Sequence, residues 1–442
     1  MAIRSTAVGG DGPGPERHSR PRSHNAWPFL VGLALLSASV PGAARAAGST
    51  GIKIAEGRLH PFADLETQHV YNPGRVTRAR GSAPNDLLLI ARPGLEFALP
   101  SPTLDLKFDG AVERRQFVGL QTPGTRRLST FAGNAGLNML VNKEGKFVFR
   151  LYDDYRRIAG PGNQTVTQRL LSHVNTAGLG FDYKPGGGAL VFSLDYSFFL
   201  NVFDRQRTGL ASPRALDNLR HQPRLRATWK FLPKTATFIE ANGQITRFFN
   251  AGQGAFRTAN ANLLTTYLGI VGALTPKLNV LAKAGYGNTF IAEANSDNFN
   301  SVVGQAEVNW KPTTTTGLRG GFLREVQPTA LFGFFDRLGG YLQFDQALGG
   351  STNMNLRLEY NVFNYGAAPA VNAPNLPEFP NIDRADQSVR ANLGLAHQFT
   401  QWFDLNIQNR FEWRDSNFVN PANNRPFSFL QNRFLVRARF KY

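Results

Sequence analysis

From residue 60 to the end, the chain alternates apolar and polar side chains with period two. Leu190, Phe192, Leu194, Tyr196, Phe198 and Leu200 alternate with Val191, Ser193, Asp195, Ser197, Phe199 and Asn201. Met354, Leu356, Leu358, Tyr360 and Val362 alternate with Asn353, Asn355, Arg357, Glu359 and Asn361. Phe403, Leu405, Ile407, Phe411 and Trp413 alternate with Asp404, Asn406, Gln408, Arg410, Glu412 and Arg414. Successive side chains of a strand point to opposite faces, so each stretch predicts a strand with one greasy and one wet face. The final stretch follows the rule to its last residue. Phe434, Val436, Ala438, Phe440 and Tyr442 interleave with Arg433, Leu435, Arg437, Arg439 and Lys441. In 260–274 both faces are apolar, and the pattern does not say which is which.

Breaker residues punctuate these strands. Short turns are expected at Pro100-Ser-Pro102, Asn142-Lys-Glu-Gly145, Lys184-Pro-Gly-Gly-Gly188, Leu232-Pro-Lys234, Thr275-Pro-Lys277, Pro312-Thr-Thr-Thr315, Gly349-Gly-Ser351 and Thr400-Gln401. Between them lie longer connections at 72–85, 121–127, 158–168, 203–218, 250–259, 292–300, 327–331, 365–385 and 415–425. Short and long connections alternate and together imply eighteen strands. An even number, with tight turns at one end and long loops at the other, is the layout of an all-β, up-and-down antiparallel barrel in a membrane. A soluble sandwich would need helices or a second sheet to cover so many greasy faces. Trp229 and Phe231, Trp310, and Trp402 with Phe403 cluster beside the short turns, as an interfacial girdle would.

Composition narrows this further. No Cys is present, which removes disulfides and thiolate metal sites. The mean hydropathy of -0.27 suits a barrel with a polar bore. The net charge of +18 could mean nucleic acid, but the cations are spread along strands rather than gathered in a reading motif. No nucleic-acid partner, cofactor or metal is expected. The head of the chain has its own character. Arginines at 4, 17, 20 and 22 precede an apolar run at 27–40, and Ala44-Arg-Ala46 places small residues before a cut. Residues 1–46 are therefore expected to be a cleaved secretory leader, 47–59 a short periplasmic segment, and 60–442 the barrel. That spacing leaves no room for an N-terminal plug domain.

A last strand that alternates and ends on an aromatic residue resembles the C-terminal signal of Gram-negative outer-membrane barrels. The resemblance implies that Phe434, Val436, Ala438, Phe440 and Tyr442 are read by the barrel-assembly machinery, with outer-membrane lipid as the surrounding partner. The strand–turn–strand units Trp229-Lys-Phe-Leu-Pro-Lys234 and Leu274-Thr-Pro-Lys-Leu278 resemble those of the putative β-barrel porin type 2 family. Some barrels of this kind serve the export of polysaccharide with a periplasmic export protein, so the resemblance implies such a partner as one option.

Eighteen strands ~4.8 Å apart and tilted ~40° enclose a ring roughly 35 Å across, wide enough for an aqueous channel. A lipid-facing arginine costs ~2–4 kcal/mol at mid-bilayer, so the charges should point inward or sit at rims. Arg220, Arg224, Arg226, Lys230, Arg357, Arg390, Arg410, Arg433, Arg437 and Arg439 are the expected pore-lining cations, with acids such as Glu113, Asp195, Glu240, Glu359 and Glu412 among them. The bracing role of inner salt bridges and the steering of anions are both expected. Loops 203–218 and 365–385 are candidates for a constriction. Enzymatic readings fare poorly: no His has a Ser two positions on, and no phosphate loop or zinc spacing occurs. The expected function is a channel for hydrophilic, anionic solutes or a secreted polymer. The alternative is a structural or adhesive barrel with a filled lumen.

Overall fold

The computed structural model describes residues 51–442 except 74, 76–84, 121–125, 127, 162–168, 205–215, 250–259, 293–297, 330–332, 367–383 and 421–424. The leader expected at 1–46 and most of the two loops considered for a constriction lie outside the described residues. A short strand β1 (Ile52–Ile54) folds back on β2 (Gly57–Tyr71). The wall continues with β3 (Asn85–Leu99), β4 (Leu104–Phe117), β5 (Thr130–Val141), β6 (Phe147–Pro161), β7 (Arg169–Tyr183), β8 (Leu190–Phe203) and β9 (Asn218–Leu232). Then come β10 (Thr235–Phe248), β11 (Ala261–Thr275), β12 (Leu278–Ile291), β13 (Asn300–Trp310) and β14 (Thr316–Pro328). The wall is completed by β15 (Phe334–Ala347), β16 (Thr352–Tyr365), β17 (Ala385–Gln398), β18 (Phe403–Ser416) and β21 (Phe429–Lys441). A small hairpin, β19 (Val419–Asn420) with β20 (Arg425–Pro426), sits in the connection before β21.

Each wall strand pairs antiparallel with the next, and β21 pairs with both β18 and β2. The sheet therefore closes on itself as eighteen strands, the number the turn count predicts. Closure gives every wall strand a partner on each side, the condition for strands to cross hydrocarbon. All eight expected short turns fall between consecutive strands. In the turn Pro185–Gly188, three successive glycines take φ of 59, 81 and 87°, a run that residues with a Cβ adopt only at a cost.

The two faces separate as alternation requires. Leu342 (68% exposed), Leu268 (67%), Ile239 (62%) and Val112 (62%) project from the outside. At the short-turn end Trp229, Phe231, Trp310 and Trp402 are exposed, and Trp402 and Phe403 stack on Phe440 at 6.2 and 5.1 Å. The register also resolves the two-faced strand β11. Leu264, Leu268 and Ile270 are exposed on its outer side, while Tyr267 faces inward, its ring under the Lys283 ammonium at 4.2 Å. Outward cations occur near the long-loop rim. Arg114 lies over the Phe131 ring at 4.7 Å, and Arg157 pairs with Asp204 at 2.8 Å.

One prediction follows from these faces. Leu342→Arg, near the middle of β15 and lipid-facing, should destabilise the barrel by ~2–4 kcal/mol, whereas Asn355→Arg, on the inner face of β16 opposite Asp345, should cost far less. Urea titration of both variants in lipid vesicles measures the difference.

Candidate functional site

The inner wall is the candidate site, and β9 is a good place to begin building it. Its greasy residues Leu225 and Trp229 are exposed to the outside, so Arg220, Arg224 and Arg226 must point the other way. Inside, Arg224 Nη2 donates to Glu240 Oε2 of β10 at 2.7 Å. Arg226 lies 3.7 Å over the Phe238 ring and 3.4 Å from the same carboxylate, and Lys283 approaches it at 3.5 Å. Three cations thus share one buried acid.

A second network straddles the closure. Asp64 of β2 is 1% exposed and accepts from Arg439 Nε of β21 at 2.7 Å. It also faces Arg92 Nη1 of β3 at 3.3 Å, and Arg92 in turn donates to Glu113 of β4 at 2.6 Å. Arg439 reaches Glu96 at 3.4 Å, and Lys441 also pairs with Glu96. Four strands are stitched through this chain of charges, including the first and last of the barrel.

The remaining sequence-predicted cations divide into two groups. Arg357 donates to Glu359 at 2.6 Å and stacks over Tyr341 at 4.0 Å, and Arg390 donates to Glu412 at 3.1 Å. These brace the wall. By contrast, Arg410, Arg433 and Arg437 make no ion pair within 4 Å among the described residues. Arg410 and Arg433 face each other across the β18–β21 ladder, and their hydrogen bonds go to the neutral amides of Gln408 and Gln431. Arg437 faces Asn406 in register, and its Nε has no hydrogen-bond partner. Arg220 is held by the Phe199 ring at 3.7 Å, again without a carboxylate, and Arg319 Nε is also unpartnered. Lys230 is exposed near the short-turn end of β9.

Toward the long-loop end the inner face changes character, which alternation alone does not reveal. Val70, Leu88, Ile90 and Phe117 form a buried apolar cluster on inward positions of β2, β3 and β4. Phe335, Phe363, Tyr365 and Phe418 form another, backed by Phe427. Against the second lies an ion network in which Arg384 and Arg414 both clasp Asp386, with Arg384 and Asp386 fully buried. Arg414 also donates to the Tyr365 hydroxyl at 2.7 Å. Beside the mouth, burial pulls Arg75 below the usual guanidinium range, and Glu412 at 2.5 Å pushes it back. No local signal in the sequence marks these inward apolar residues, because those on strands occupy the wet phase and Phe418 and Phe427 lie in the connection before β21.

A closed eighteen-stranded cylinder with a greasy exterior, an aromatic belt and a charged interior is an outer-membrane β-barrel of the channel-forming class. The family described as putative beta-barrel porin 2 matches residues 162–442, and the chain belongs to that family. It is accordingly a porin-like protein of the outer membrane, a class of channels rather than enzymes. No curated protein matches the chain by sequence. Among solved structures, the Pseudomonas aeruginosa OpdK with vanillate is similar at 10% identity and a TM-score of 0.47, covering 86% of this chain and 99% of that one. Acinetobacter baumannii OccAB3 is similar at 11% identity and 0.46, covering 88% and 100%. Pseudomonas aeruginosa OccK3 (OpdO) is similar at 12% identity and 0.44, covering 87% and 95%. At such values they speak to neither solute nor mechanism.

Proposed function

We infer that the barrel is a channel whose bore favours hydrophilic anions. The observation that carries this reading is the file of Arg410, Arg433 and Arg437 on the β18–β21 wall, inward-facing cations with no acid bound to them. A guanidinium already clasped by a carboxylate presents little net field, whereas an unpaired one attracts a passing anion through the low-dielectric wall. Arg220 on β9 extends the same property to the opposite side of the ring, and Arg319 on β14 lies between the two. The other cations of the predicted lining, Arg224, Arg226, Arg357, Arg390 and Arg439, serve chiefly to hold the strands, each in an ion pair.

The test is the reversal potential of the purified protein in planar bilayers under a KCl gradient. Anion selectivity is expected, and cation selectivity overturns the reading. A second reading, an exit for a secreted polymer such as polysaccharide working with a periplasmic export protein, draws support from the packed clusters at the long-loop mouth. It expects little current from the isolated barrel and loss of surface polysaccharide on deletion.

The role of the last strand is part of the same proposal. Phe434, Phe440 and Tyr442 are exposed on the lipid side of β21, while Val436 and Ala438 lie half-buried in the same row. The Tyr442 N–H donates to the Pro61 carbonyl at 3.0 Å. Recognition of this row by the assembly machinery predicts that Phe440→Ser with Tyr442→Ser lowers the amount of assembled protein in the outer membrane. Refolding in detergent should be less affected, because the wall loses only the Phe440 stacking on Trp402 and Phe403 and none of its ladder.

A further inference from the structure

The wall is not hydrogen-bonded along its full height between β13 and β14. Their ladder holds seven pairs, from Trp310↔Leu318 to Gly304↔Arg324, against thirteen between β14 and β15. Above it, Asn300–Val303 stay paired to β12 and Glu325–Pro328 stay paired to β15, with no ladder partners across the seam among the described residues. Unpaired backbone in the hydrocarbon zone is tolerated only where protein buries it or a cavity wets it.

Here the two edges overlap instead of meeting. Val326 belongs to the face of β14 that carries the lipid-exposed Phe322 four residues earlier. Yet a Cβ built on Gly287, an inward position of β12, would lie 3.2 Å from Val326 Cγ1 and 3.1 Å from Val303 Cγ1. The end of β14 has therefore slid to the inner side of β13, outer face against inner face, as shingles lap. The lap is sealed by side chains alone. Phe299, Val303 and Val326 are buried together, with Leu263, Tyr267 and Phe334 packed against them. Arg324 stands at the foot of the seam, 2.8 Å from Asp336 and 5.7 Å from the Phe299 ring.

Outside, a groove of about 640 Å³ begins at this foot. Its floor is made of small residues, Ala282, Ala284, Gly304 and Ala306, and its walls include Leu268 and Phe322. Arg324 is among the residues that line it. An alkyl chain fits the apolar floor, and Arg324 supplies a cationic partner for an anionic head.

We propose that the β13–β14 lap is a lateral portal, through which a single-chain amphiphile passes between the bore and the lipid, its chain resting in the groove. Side-chain packing without a backbone ladder opens locally at much lower cost than a paired strand. The portal is an activity additional to axial passage of anions, so the two are tested by separate readouts.

The chain has no Cys, so Val303→Cys with Val326→Cys introduces one thiol pair across the lap, closed by oxidation with copper phenanthroline or by a short bis-methanethiosulfonate crosslinker, both of which leave reducible disulfides. The probe is a fluorescent lysophosphatidylglycerol in proteoliposomes, with albumin, too large for the bore, extracting what reaches the outer leaflet. Clamping is expected to cut protein-dependent transfer by about tenfold or more, because a covalent tie removes the local opening, and reduction should restore it. Phe299→Ala, which loosens the seal, should raise transfer. Axial conductance in planar bilayers should be unchanged by the clamp. Equal transfer through clamped and reduced protein, or no transfer above empty liposomes even for Phe299→Ala, overturns the portal while leaving the anion channel standing. Loss of conductance together with transfer on clamping overturns it too, since the two routes would then be one.

Discussion

Replacing Asp64 with alanine is expected to destabilise the barrel by ~3–5 kcal/mol, the cost of stranding buried charge when one partner of an ion network is removed. The carboxylate is 1% exposed and sits between Arg439 and Arg92, on the strand that joins the first to the last segment of the wall. Without it Arg92 keeps only Glu113, Arg439 keeps only Glu96 at 3.4 Å, and the acid that ties the two guanidinium groups across the β2–β21 joint is gone. That joint comes last in chain order, because β21 must find β2 across nearly the whole sequence, and closure entropy already works against it. Asp64→Asn keeps an acceptor and should cost less. Lys107→Ala, which removes a 63%-exposed side chain 4.0 Å from Asp105, should cost about 1 kcal/mol or less and serves as the control. Urea titration in vesicles and the gel mobility of unheated protein report the result. Equal stability of the Asp64→Ala and Lys107→Ala variants would remove the closure network from the account.

Joint substitution of Arg410, Arg433 and Arg437 by glutamine is expected to lower the permeability to a monovalent anion by about eightfold at low salt, and the anion-to-cation ratio by more, because the same charges repel cations. A unit charge ~10 Å from the path in water contributes about 0.4 kcal/mol, roughly a factor of two, and three such charges multiply. The effect should shrink as salt rises past the point where the Debye length, ~10 Å at 0.1 M, falls below the bore radius. None of the three is tied to a carboxylate, so the substitutions leave no acid stranded and the fold should survive them. Selectivity unchanged in the triple variant would move the functional weight to Arg220 and Arg319.

Much of this was legible in the chain because the governing signals are local. Alternation with period two assigns a face within each strand, and turn chemistry such as that of Pro185–Gly188 marks where the chain reverses. Strand number, turn positions and the outward row ending at Tyr442 followed from those two signals. Which arginines are clasped and which stand unpaired did not follow, since that depends on register between strands far apart in sequence. Arg439 finds Asp64 and Arg410 finds only Gln408, although both lie on the same phase of their strands. The inward Phe117, Phe335 and Phe363 break the rule that apolar means outside, because loop residues such as Leu128 and Phe418 cover them and make a dry patch.

The sequence by itself determined an even-stranded, lipid-embedded cylinder with its cations turned inward or set at the rims, since a greasy row of side chains must meet hydrocarbon and a charged one must avoid it. Only the tertiary structure decided how the cylinder is sealed, through the acid-bridged joint at Asp64 and the lapped, unbonded seam at Val303 and Val326. Sealing is a matter of which strand ends come together and at what offset, and pairwise distance across hundreds of residues leaves no trace in any single strand's pattern.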